Sequence, residues 1–309
     1  MISNISRRAL LPLLGSVLVA PSVFSKSLAA KRFTFREVHM GMVARITLYA
    51  DHTEHAREAV KAAFQVIRQV DQALSHFSIR SEAMNLKVEN KVSDHLYQNL
   101  KTADHMYGLT DGIFDVALGP LTKVWHQARK NNQFPSKFAL LRAKQKSGWK
   151  GSVSLSAHNK VHIHRDGLHL DFGGLGKGYA ADQAQLVLQK LGITSAMVEI
   201  GGDVVVSNPP EDTKGWRISL GNEKIKQFKN IALSTTGNSQ QFLDHKNIRY
   251  SHVLRASNGM AVSNHRALTV VGENGQLADA LATTLGMLDN KEGDNFAANH
   301  FKTYKVYEV

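Results

Sequence analysis

The sequence has 309 residues, 43% of them apolar and 21% charged, a formal net charge of +12 and no cysteine. Those proportions exclude disordered and collagen-like chains. The missing cysteine excludes disulfide scaffolds, zinc–thiolate and iron–sulfur sites, thiol nucleophiles and a cysteine-linked lipid anchor. The length suffices for one large domain or two small ones.

The first 29 residues read as an address. Ser6-Arg7-Arg8 precedes an apolar run through Leu18-Val19-Ala20, and Ser27-Leu28-Ala29 offers small residues for a signal peptidase. This is the pattern of a secretory leader, and the paired arginines point to the twin-arginine route. Pro12, Gly15 and Pro21 make the run a poor membrane span. Export to the periplasm is therefore expected, with residues 30–309 as the working domain. Arg7, Arg8 and Lys26 leave with the leader, lowering +12 to +9. For an exported chain with dispersed basic residues, no nucleic-acid partner is expected. An anionic small molecule, peripheral contact with a negatively charged membrane, or simply a solvated basic surface accounts for the charge.

Val38 to Ala50 reads as an opening strand. Glu54 to Leu74 is the clearest helix, with Val60, Phe64, Ile67 and Leu74 recurring at spacings of three and four. A second helix spans His95 to Leu109 and a third Leu121 to Arg129. Lys130 to Lys150 is polar and basic, a lobe surface or an insertion. Short strands follow at Val153–Leu155, Val161–Ile163 and Leu168–Phe172, then a helix from Tyr179 to Leu191. Strands at Met197–Ile200 and Val204–Val206 flank Gly201-Gly202. Further strands are expected at Trp216–Leu220, Ile231–Ser234 and Leu268–Val271, and a last helix at Ala278–Leu288. Helices and strands mix without strict alternation, which favours α+β over a doubly wound sheet.

Four stretches could carry chemistry. In Asp171-Phe-Gly-Gly174-Leu-Gly-Lys177-Gly-Tyr179 a strand runs through glycines into a helix, a place where backbone N–H groups can meet an anion. It fits neither a Walker A loop nor a dinucleotide fingerprint. A non-standard phosphate loop and a plain glycine turn both remain open. In Ala278-Asp279-Ala-Leu-Ala-Thr283, Asp279 and Thr283 share a helix face, suited to a hard cation, or Asp279 is a surface acid favoured by the helix dipole. His252, in Tyr250-Ser-His-Val253, could donate to phosphate or move a proton, although a lone histidine is usually structural. Ile113-Phe114-Asp115, before Gly119-Pro120, could line an aromatic ligand or belong to the core.

In order and spacing these stretches resemble the ApbE-like flavin transferase family, the FAD:protein FMN transferases. The resemblance also rests on Met40-Gly41, Phe77 through Asn85, Gly112 to Asp115, Gly201-Gly-Asp203 and Ser234-Thr-Thr-Gly237, and it spans residues 38 to 289. It implies an α+β domain of the flavin transferase type, as one body or two lobes with the site between them. The implied reaction is Mg²⁺-dependent. FAD is split at its pyrophosphate, FMN passes to a Thr or Ser hydroxyl of an acceptor redox protein, and AMP leaves. By similarity, Gly174, Asp279 and Thr283 hold the metal. Met40, Phe77, Ile113, Phe114, Asp115, Asp171, Lys177 and Val253 meet FAD, and His252 and Lys177 serve catalysis. Three departures stand out: Arg255-Ala256 and Asn258-Gly259 follow the His strand where the family has Asp-Pro and Thr-Gly, Phe77 replaces a usual Tyr, and Ser239, outside the residues that the structure describes, stands where an aromatic is common. The alternatives are an FAD pyrophosphatase giving FMN and AMP, and a non-catalytic FAD-binding or delivery protein.

Overall fold

The structure, a computed structural model, describes residues 30–220, 225–237, 241–264 and 266–309; the expected leader at 1–29 lies outside them. Where the sequence predicts one opening strand there are two, β1 (Lys31–His39) and β2 (Met42–Ala50), paired as a hairpin. Met40 and Gly41 turn the chain with φ of 53° and 72°, as a primed two-residue turn requires. Charges at Lys31, Arg32, Arg36 and Glu37 conceal β1, whose Phe33 and Phe35 still alternate onto the core. The helix α1 (Thr53–Leu74) follows the predicted stripe and buries Val60, Phe64, Ile67 and Val70. Each of these large side chains contributes about 1.5–3 kcal/mol by leaving water.

Next come β3 (Glu89–Lys91), α2 (Asp94–Leu109) and α3 (Gly119–Lys130). Pro120 opens α3, where its missing N–H is harmless. The basic stretch beyond Lys130 contains a helix the sequence did not announce, α4 (Lys137–Gln145), capped by the Ser136 hydroxyl, which accepts from the Ala139 N–H at 3.2 Å. The strands β4 (Val153–Ser156) and β5 (Lys160–Ile163) join β3 in a small sheet. Leu168–Phe172, expected as a strand, enters no sheet. Loops hold its backbone instead: Gly119 N–H donates to His169 O at 3.0 Å, and Asp171 N–H to Val116 O at 2.7 Å.

The helix α5 (Gly176–Lys190) begins inside the glycine run, earlier than predicted. The hairpin β6 (Ala196–Ile200) and β7 (Asp203–Val206) turns at Gly201-Gly202, both at positive φ. Then follow β8 (Trp216–Ser219), β9 (Ile225–Phe228), β10 (Ile231–Thr236), β11 (Phe242–His245), β12 (Ile248–Ser251), β13 (Leu268–Gly272) and α6 (Gly275–Met287). The chain closes with α7 (Asn290–His300) and β14 (Lys305–Glu308), neither of which the sequence predicts. α7 is largely polar, and β14 is a short edge strand defined by its pairing with β13.

The main sheet is antiparallel, in the order β1-β2-β6-β7-β10-β13-β14. α1 packs on α5, α5 on α6, and α5 and α6 on the central strands β6, β7, β10 and β13. This is the α+β arrangement expected, with helices gathered against a sheet. Ala180, Ala181 and Ala184 of α5 are buried, so small side chains allow its close packing. A second, smaller core gathers Leu121 and Trp125 of α3, Ala143 of α4, Leu243 of β11 and Leu254. The Asp171 loop joins the two cores, because Thr122 of α3 donates to Asp171 Oδ2 at 2.7 Å while Leu170 and Phe172 are buried in the larger one.

Candidate active site

Two helices begin side by side. A methyl group built on Gly178, in the first turn of α5, would lie 2.1 Å from the carbonyl oxygen of Gly275, which starts α6. Only glycine permits that approach. Asp182 of α5 fixes the relation by accepting from the Gly275 and Gln276 N–H groups at 2.9 and 3.0 Å, capping α6 from the neighbouring helix. Burial nevertheless pushes the Asp182 carboxyl up to about 6, with the Gln276 and Gly275 N–H groups opposing it. Two positive helix ends thus share one corner.

The corner is filled by charge. Lys177 Nζ lies 3.1 Å from Asp279 Oδ2 and 3.1 Å from Asp203 Oδ2, and it donates to Gly173 O at 2.9 Å. Only its contact with Asp279 has hydrogen-bond geometry at that oxygen; Asp203 Oδ2 is buried without such a bond. Burial pushes Asp203 up to about 7, Asp279 reinforces the rise, and Lys177 and Ser234 oppose it. Asp279 is raised by burial against the pull of Lys177. Lys177 itself is raised, because the two carboxylates outweigh its desolvation. Two acids share one ammonium, leaving an excess of negative charge in a buried place. That is unfavourable unless a further cation joins them.

The sequence treats Asp279 as a surface acid on its helix; instead it is 4% exposed and bonded to α5, with Gly178 N–H directed at its Oδ2 at 3.4 Å. Thr283 lies one turn further along α6, and its Oγ1 is 2.9 Å from a methyl built on Gly174. Gly174, Asp279 and Thr283 therefore come together from the loop and α6. Their donors are all hard oxygens, the set that suits Mg²⁺. Among the described residues no group of three or more His, Asp or Glu converges on one point. The hydroxyl and a backbone carbonyl would therefore complete a site built on one carboxylate.

Around this corner the other candidates divide. Phe114 is buried and its ring lies 3.3 Å from the methyl position of Gly174, while Ile113 is partly exposed. Met40 Cε approaches Gly176 to 3.4 Å from its methyl position, and the left-handed Met40 backbone is held by its N–H bond to Asp71 Oδ2 at 3.1 Å. Asp171 accepts from Gly173 N–H at 2.9 Å and faces His76 Nδ1 at 3.2 Å. Burial would raise its pKa, but His76, Thr122 and Gly173 outweigh burial and hold the carboxyl below its usual range. Phe77 is 64% exposed, its ring 3.9 Å from that of His76 and 5.5 Å from that of His126.

His252 is exposed, and protein groups lie close around it. The surrounding protein, then Lys177 and Arg129, push its pKa down to about 4 against the pull of Asp171. Its ring is neutral at physiological pH. Two candidates point elsewhere. Asp115 gives both oxygens to backbone, accepting from Ala117 N–H at 2.7 Å and Trp149 N–H at 3.1 Å. Val253 packs with Val262 and Met287 in a small apolar cluster.

Sequence reasoning missed Asp203, His76, Thr122 and Asp182. Asp203 follows a glycine pair that turns one strand into the next and belongs to the family resemblance, but neither signal gives it a role. The others become meaningful only through long-range contact.

Comparison with known proteins gives this geometry its relatives. The model of the ApbE family matches residues 40–307. The FAD:protein FMN transferase of Chlamydia trachomatis is 26% identical over 288 residues, covering 89% of this chain and 90% of that protein. The protein of the same name from Vibrio cholerae is 27% identical over 219 residues, 65% of this chain and 63% of that one. The apo crystal structure of the Pseudomonas stutzeri flavinyl transferase ApbE superposes with a TM-score of 0.79 at 23% identity, over 91% of each chain.

Proposed function

The chain belongs to the ApbE family, and from that premise we propose that it is an FAD:protein FMN transferase. A hydroxyl oxygen of an acceptor protein attacks the FMN phosphorus of FAD, the pyrophosphate P–O bond breaks, and AMP departs as the hydroxyl proton is taken up. The acceptor is a redox protein carrying a Thr or Ser, and the reaction takes place in the periplasm, in keeping with the leader-like residues 1–29.

The observation that carries the proposal is the corner where α5 and α6 begin, with Lys177 between Asp203 and Asp279. The excess negative charge and the hard oxygens of Asp279, Thr283 and Gly174 fit Mg²⁺, which when bound neutralises pyrophosphate oxygens. Asp279 and Thr283 would hold that ion from one helix face. Lys177 holds the two acids in place, and the first turn of α5 supports Asp279 through the Gly178 N–H, directed at its Oδ2 at 3.4 Å. Phe77, exposed beside His76, offers a ring for the flavin to stack on. His252, neutral and near Lys177, is suited to accept the proton of the incoming hydroxyl. Phosphoryl transfer needs mainly positioning and charge stabilisation, and this arrangement supplies both.

The test is incubation with FAD, Mg²⁺ and an acceptor protein, followed by denaturing electrophoresis. Flavin fluorescence that stays on the acceptor supports transfer. AMP release without labelling would make the protein a pyrophosphatase. Tight FAD binding with neither product would make it a carrier.

A further inference from the structure

From Val116 to Arg165 the chain carries ten Lys or Arg and no Asp or Glu, so this interval holds most of the +12 of the whole molecule. It builds α3 and α4, which carry the smaller core, and β4 and β5, which pack on the larger one. Lys123, Lys130, Lys137, Arg142, Lys144, Lys146, Lys150 and Lys160 are exposed.

The helix α4 gives this charge a face. Ala143 is buried and Leu140 turns toward the smaller core. On the opposite side Phe138 is 68% exposed and Leu141 55% exposed, two large apolar side chains in water on one nine-residue helix. At 100° per residue, Lys137 and Lys144 border them on one side and Arg142 on the other, with the Arg142 guanidinium 5.6 Å from the Phe138 ring centroid. An apolar ridge with basic flanks is the form of a helix that lies in a membrane interface, its apolar side chains among the acyl chains and its cations at the headgroups. A protein partner would match a mixture of signs. α4 carries Lys137, Arg142 and Lys144 and no acid, and so complements a surface of uniform negative charge.

We propose that α4 and the basic side around it dock the protein on an anionic lipid bilayer, with Phe138 and Leu141 inserted and the flanking cations on lipid phosphates. Among the described residues no helix is long and apolar enough to cross a membrane, so the contact is peripheral. It is independent of the transferase assignment.

The test is flotation of the full chain with vesicles of phosphatidylcholine alone and of phosphatidylcholine with about one third phosphatidylglycerol. The readout is the difference between the two and its change in the variants, because the basic N-terminal segment is the same in all of them. Anionic vesicles should bind the parent more than tenfold better, and roughly threefold more salt should largely abolish the gain. Lys137→Glu with Arg142→Glu should erase the difference, since each basic side chain near such a surface is worth about fivefold. Phe138→Ser with Leu141→Ser should weaken anionic binding about tenfold while leaving soluble protein. The charge pair decides the matter alone if the serine pair fails to fold. Equal binding to both vesicles, or an anionic preference unmoved by the charge pair, overturns the proposal. So does a loss of flavin transfer to a soluble acceptor with vesicle binding intact, which would assign the face to the acceptor protein.

Discussion

Replacing Gly178 with alanine tests the geometry of the site without touching a charge. The new methyl would stand 2.1 Å from the Gly275 oxygen and 2.5 Å from its carbon, whereas ordinary contact begins at 3.4 Å. Both obstacles are backbone, so neither can rotate away, and α5 and α6 must part by about 1 Å or more. Overpacking of this kind costs about 1–3 kcal/mol, or about 2–4 °C of melting temperature per kcal/mol in a chain of this size. The separation also opens the 3.1 Å contact between Lys177 and Asp279. A displacement of that size at reacting groups costs about a hundredfold in rate. Gly108→Ala is the control: it lies in α2 with nothing near its methyl position, so it should be neutral or gain about 0.5–1 kcal/mol. Calorimetry and flavin transfer should show both losses in the Gly178 variant alone. A Gly178→Ala protein with the parent's melting temperature and rate would refute the claim that this backbone contact sets the site.

Asp279→Ala should end Mg²⁺-dependent transfer while changing stability by less than about 1 kcal/mol, because Asp203 still balances Lys177 and the excess of buried negative charge is relieved; urea titration beside the transfer assay checks both. Lys177→Ala leaves Asp203 and Asp279 facing each other without a cation. Asp203 already stands at about 7 in the folded protein, above its usual 3.8. A carboxyl raised on folding favours the native state when protonated, so this variant should melt higher at about pH 5.5 than at about pH 8; the opposite trend would contradict the assignment. His252→Ala should retain FAD binding but lose most transfer. In the parent, any acid limb owed to this residue should centre near 4, not the ordinary 6.5; a limb near 6.5 that disappears in the variant would show the ring to be less shielded than described.

Much of this architecture could be read in the chain before its folding was known. α1 announces itself because a long apolar stripe has one partner surface and one period. Asp279 and Thr283 share a face by their spacing alone. What escaped has a common cause: its meaning lies in distant partners. Asp203 looks like any residue after a glycine turn until Lys177, from another helix, reaches it. Leu168–Phe172 has the apolar run of a strand, yet Val116 and Gly119 take the hydrogen bonds a neighbouring strand would have taken. β14 becomes a strand only because β13 offers it an edge. Asp279 reads as exposed because helix periodicity says nothing of a second helix lying against the face it occupies.

The contact between Gly178 and Gly275 has a consequence for biosynthesis. The first half of the corner emerges from the ribosome long before the second, with eight strands made in between, four of the main sheet and two further pairs. Until α6 has been synthesised and seated there is no acid at position 279 for Lys177 to meet. A nascent chain, or one cut short before that helix, therefore lacks the means to split a dinucleotide. Activity arrives only with a nearly finished polypeptide.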